Sequence, residues 1–96
     1  MKKIKTISTL LLENNPVEAR VIIKVFDKLA DNYEFNVVKN SVVASDYLFK
    51  RGDYNEAKTP GLIILNRGST ELIIEIKNDA KLNVIPLICI NTQNKI

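Results

Sequence analysis

Pro60-Gly61-Leu62-Ile63-Ile64-Leu65-Asn66 carries the clearest structural signal in this chain. Leu62 to Leu65 are branched and apolar without interruption, and Arg67-Gly68 closes the run. A strand with one wet face alternates apolar and polar residues, whereas a strand covered on both faces does not. Leu62–Leu65 therefore reads as the central strand of a parallel sheet, with all four residues buried. In open parallel sheets ligand chemistry gathers at the carboxyl ends of the strands. Asn66 occupies that end.

On the N-terminal side, Ile4–Leu12 reads as a first strand whose buried end is Leu10-Leu11-Leu12. Glu13-Asn14-Asn15-Pro16 breaks it. Pro16 suits a first helical turn, where its missing N–H costs nothing, and Asn15 suits the cap before it. Val21, Ile22, Val25, Phe26 and Leu29 share one face of the helix that follows and are expected inward. Arg20, Lys24, Asp27 and Lys28 take the solvent side. Tyr33–Val38 reads as a second strand. Asn40-Ser41 is a turn and cap for a second helix over Val43–Lys50, with Val43, Ala44, Tyr47 and Leu48 inward. Gly52 is the expected left-handed residue at the end of that helix.

On the C-terminal side, Ser69 is the expected cap of a third helix over Thr70–Asn78, with Leu72, Ile73 and Ile76 inward. Val84–Ile90 reads as the last strand, with Pro86 near its start, where proline is tolerated. Strands and helices alternate throughout. That order predicts an α/β fold, a parallel four-stranded sheet joined by right-handed crossovers, and one domain over 1–96.

Bulk properties exclude several classes. With 46% hydrophobic residues the chain can build a core and is not a disordered segment. The apolar run at Leu10–Leu12 is too short for a membrane span or a signal peptide. Its single cysteine, Cys89, cannot form an internal disulfide, and its place in the apolar run Leu87–Ile90 predicts a buried thiol. Nothing calls for an oxidising compartment, so a cytoplasmic location is expected. The net charge is +3, with only Lys2, Lys3 and Lys5 clustered; nucleic-acid binding is a minor alternative on that basis. No histidine is present, and no glycine-rich phosphate loop. An enzyme is not expected, and no cofactor or metal.

Five segments in order resemble a receiver domain, the phosphoacceptor module of two-component response regulators. They are Glu13-Asn14-Asn15-Pro16, Tyr47-Leu48-Phe49-Lys50-Arg51-Gly52-Asp53-Tyr54, Pro60 to Asn66, Ile76-Lys77-Asn78-Asp79, and Ile85-Pro86. The pattern is similar to the stand-alone regulators that serve phytochrome-type sensor kinases. The resemblance implies a flavodoxin-like three-layer sandwich with strand order 2-1-3-4.

The resemblance also marks where this chain departs. Receivers take a phosphoryl group on an aspartate at the end of the third strand; Asn66 stands there. An amide nitrogen has its lone pair delocalised into the carbonyl and is no nucleophile towards phosphorus. The family holds Mg²⁺ with two acidic residues after the first strand; only Glu13 is acidic, and Asn14 takes the second place. Mg²⁺ favours anionic oxygens and sheds water reluctantly. The phosphate-sensing Thr or Ser is matched by Asn91, with Thr92 one residue late.

Glu13, Asn14, Asn66 and Asn91 are therefore either a degenerate polar pocket or ordinary strand-end turn residues, a common place for asparagine. The family's fifth strand and last helices have no counterpart. A receiver ending there would expose Leu87, Ile88, Cys89 and Ile90 on an edge strand. A homodimer is expected, by edge-to-edge pairing of two Leu87–Ile90 strands or face-to-face packing of the uncovered sheets; a different protein filling the same gap is the rival. A sensor kinase or another regulator is the partner class the resemblance implies. The expected function is a phosphorylation-independent pseudo-receiver that acts by protein interaction. A basic nucleic-acid-associated regulator and a decayed receiver without a role are the alternatives.

Overall fold

The computed structural model describes residues 5–68 and 70–91. Lys2, Lys3, Ile4, the expected cap Ser69 and Thr92 lie outside them. The elements are β1 (Ile7–Leu12), α1 (Pro16–Leu29), β2 (Tyr33–Val38), α2 (Ser41–Leu48), a 3-10 turn (Gly52–Tyr54), β3 (Leu62–Asn66), α3 (Thr70–Asn78) and β4 (Leu87–Ile90). All sheet pairings are parallel, in the order β2-β1-β3-β4. The expected fold class and strand order hold.

Alternation along the strands sorts the core into two layers. Leu10, Leu12, Ile63 and Leu65 face α2 and α3, and pack with Ala44, Leu48, Leu72 and Ile76. Leu11, Leu62 and Ile64 face α1, and pack with Ala19 and Ile22. Leu62 to Leu65 are all buried, as a strand between two helical layers must be.

The ends of α1 and α2 follow from local chemistry. Asn15 Oδ1 accepts from the Val17 and Glu18 N–H groups, and Pro16 opens the helix. Asn40 Oδ1 accepts from the Val43 N–H and caps α2. Helix α2 begins and ends two residues earlier than the periodicity suggested. The residue directly past its C-cap, Lys50, is left-handed with φ of 58°, and the expected Gly52 is left-handed too, with φ of 56°, but two residues later, where it opens the 3-10 turn.

Three further expectations are corrected. Helix α1 turns Ala19 and Ile22 inward, with Ile23 and Phe26 packed beside them. Val21, Val25 and Leu29 are exposed; with Val17 they form an apolar ridge on the outside of the helix. Strand β4 starts only at Leu87, leaving Val84 in solvent, while Leu82 and Ile85 in the preceding turn join the core. Cys89 is exposed, because β4 is the edge of the sheet among the described residues and no described element covers its side chain.

Candidate functional site

Sheet register builds the site. Leu12 pairs with Leu65, so the next residues of both strands, Glu13 and Asn66, emerge side by side. Both continue the alternation that points Leu11 and Ile64 towards α1. Asn66 and Glu13 are buried, and Asn66 Nδ2 donates to Glu13 Oε1. The other oxygen, Glu13 Oε2, accepts from the Asn15 N–H at 2.8 Å. That contact ties the carboxylate to the capping turn of α1.

A cation completes the arrangement. Arg67 follows β3 with a left-handed φ of 57°, and its N–H donates to the Ile90 carbonyl at 2.8 Å. Gly68 lets the turn close: a Cβ there would lie 2.9 Å from the Leu65 Cβ. The Arg67 guanidinium folds back onto α1, 2.5 Å from Glu18 Oε2 and 3.7 Å from Glu13 Oε2. The Glu13 side chain is 1% exposed, so a counter-charge is needed to offset its desolvation.

Of the sequence-predicted residues, the fold brings Glu13 and Asn66 together. Asn14 is exposed at the mouth, lining a cavity of about 310 Å³ with Lys39, Asn40, Ser41, Asn66 and Arg67. Asn91 lies apart from Glu13. It lines a neighbouring cavity with Cys89, Ile90 and Arg67. Arg67, Glu18 and Lys39 were missed by sequence reasoning. Only the position of Arg67 directly after the strand end hinted at its role.

The chemistry of this set is narrow. Asn66 offers an amide where phosphotransfer needs a nucleophilic carboxylate. The divalent cation that receivers use does not fit these residues. Both Glu13 oxygens already accept from Asn66 and Asn15, Asn14 adds only a neutral carbonyl, and Arg67 already supplies positive charge. Among the described residues no group of three His, Cys, Asp or Glu side chains is placed to hold a metal ion.

No family model matches the chain. It is 24% identical over 90 residues to response regulator Rcp1 of Synechocystis sp. (strain ATCC 27184 / PCC 6803 / Kazusa), covering 88% of this chain and 61% of that relative. Among solved structures, the phosphorylated cyanobacterial phytochrome response regulator RcpA superposes with a TM-score of 0.81 at 27% identity, over 94% of this chain and 68% of that one. The Mn(2+)-bound form of response regulator Rcp1 gives 0.80 at 24%, over 93% and 68%. The bacteriophytochrome response regulator AtBRR gives 0.78 at 21%, over 95% and 70%.

Proposed function

We propose that this chain, whose fold is that of the response-regulator receiver, acts in signalling as a protein-interaction module that needs no phosphorylation. The observation that carries this is the Asn66 amide bound to Glu13 at the strand end where receivers present an aspartate. The contact fills the nucleophile's place with a donor. It also satisfies the carboxylate that would otherwise face a metal ion. The chain spans 61% of its curated relative's length, and the class of partner is inferred by analogy: a sensor kinase or another regulator. No described helix is long and apolar enough to cross a membrane.

A second copy of the chain is the partner favoured by the surface. Strand β4 presents Ile88 and Cys89 in solvent and Leu87 and Ile90 half-buried, with one backbone edge unpaired among the described residues. Natural edges of this kind are covered, charged or kinked. Pro86 protects only the approach to the strand, and Leu87–Ile90 carries no charge. Two-fold pairing through Leu87–Ile90 covers the edge.

Incubation with acetyl phosphate and Mg²⁺ followed by intact-mass measurement tests the first part. The mass stays unchanged; a stable gain of one phosphoryl group overturns it. Light scattering at micromolar concentration tests the second. The expected mass is twice 10.9 kDa, and a stable monomer overturns the pairing.

A further inference from the structure

Two cavities meet at the carboxyl end of the sheet. The larger, about 540 Å³, runs from the start of α1 to the end of β2, and Pro16, Ala19, Ile23 and Val37 make it largely apolar. The smaller is the 310 Å³ polar cavity beside Asn66 and Arg67. Asn14 and Lys39 line both, so the two form one groove with an apolar end and a polar end. Together they fall within the size range of small-molecule sites.

The charge left over in the groove is positive. Arg20, Lys39 and Arg67 line it with one carboxylate, Glu13; Arg67 is held by Glu18 and Glu13, so among the described residues the unpaired charge comes from Arg20 and Lys39. The Glu13 carboxylate is already satisfied by Asn66, the Asn15 N–H and Arg67. Lys39, at the junction, has no carboxylate partner among the described residues. Asn40 commits its Oδ1 to the Val43 N–H, which leaves its Nδ2 as a donor.

We propose that this groove binds a small amphiphilic anion. An aliphatic chain lies against Pro16, Ala19, Ile23 and Val37. A terminal oxyanion, carboxylate or phosphate monoester, is held by Lys39 with the Asn14 and Asn40 amides. A purely apolar occupant would make no use of the positive charge at the polar end, where Lys39 reaches solvent. A bare anion would leave the larger, apolar cavity unfilled. The amphiphile meets both conditions, and its binding requires no phosphotransfer and no second copy of the chain.

The test is an NMR titration of the full chain, following backbone amides. Octanoate and octyl phosphate, both below their aggregation concentrations, are compared with octanol and inorganic phosphate at matched ionic strength. Both amphiphiles are expected to shift the amides of Asn14, Val37, Lys39 and Asn40 saturably, at least tenfold more tightly than either control. Lys39→Gln should weaken both amphiphiles at least fivefold and leave octanol unchanged. Val37→Glu should weaken them at least as much; both residues are exposed, and each variant's own spectrum reports its fold. A preference for one amphiphile names the head group and supports the proposal. Octanol binding as tightly as octanoate overturns it, as does phosphate matching octyl phosphate. Absence of saturable shifts, or affinity unmoved by Lys39→Gln, overturns it too. Failure here leaves the acetyl phosphate result untouched, and a phosphoryl mass gain leaves this titration untouched.

Discussion

At the scale of single residues, the burial of Glu13 makes Asn66 the critical side chain. Replacing the amide by a carboxylate changes almost no volume, so the consequence is electrostatic. Asn66→Asp sets two carboxylates against each other in a buried place and removes a donor from Glu13. We expect a loss of roughly 3 kcal/mol in urea unfolding, the scale of an uncompensated buried charge; a variant as stable as the parent would count against the arrangement. Restoring the aspartate alone should not restore phosphorylation, because Asn14 still leaves the cation site one acid short. Tyr47 offers a pH-dependent check. Burial raises its phenol pKa above 10.0, and Glu34 and Tyr54 raise it further. The folded state therefore holds this proton more tightly than the unfolded chain does. Its contribution is complete below pH 10.0 and is lost as pH rises from there through the folded value. Unfolding midpoints compared at pH 8 and about 10.5 should fall less for Tyr47→Phe than for the parent.

At the scale of elements, β3 carries the fold. Ile64 is fully buried against α1, and Ile64→Ala should cost about 2–5 kcal/mol by urea unfolding. Val25→Ala on the outer ridge should change stability by less than about 0.5 kcal/mol. Equal losses would mean the helix is turned the other way. The strand was legible because an unbroken apolar run bounded by Pro-Gly and Arg-Gly has few other solutions. The face of α1 was not. Val17, Val21, Val25 and Leu29 step by four residues and drift about 40° each time, giving a second apolar stripe beside the one formed by Ala19, Ile22 and Phe26. Periodicity reports that stripes exist; the sheet chooses between them by fit, and the small Ala19 permits close approach. The site divides the same way. Glu13 and Asn66 could be read as neighbouring strand ends. The role of Arg67 depends on a left-handed turn and on Glu18, 49 positions earlier in the first turn of α1. No local pattern encodes that meeting.

At the scale of the whole molecule, the proposed pairing rests on the uncharged edge at β4. Ile88→Lys puts a charge in the middle of the strand, where Ile88 is already 38% exposed. The variant should remain folded by circular dichroism and appear at half the parent mass by light scattering; an unchanged dimer would place the contact elsewhere. The parallel sheet has a further consequence for how the chain reaches this state. Leu10 and Ile63, neighbours at the centre, are 53 positions apart, and α1, β2 and α2 all lie between them. Among the described residues no hairpin exists to bring two strands together early. The central pairing must close a long loop before most of the core rewards it, and topologies dominated by such distant contacts fold slowly. Until that closure, Leu62–Leu65 lacks its β1 partner and has at most the nearer β4 beside it, so the same residues that hold the finished molecule together are an association-prone segment during folding.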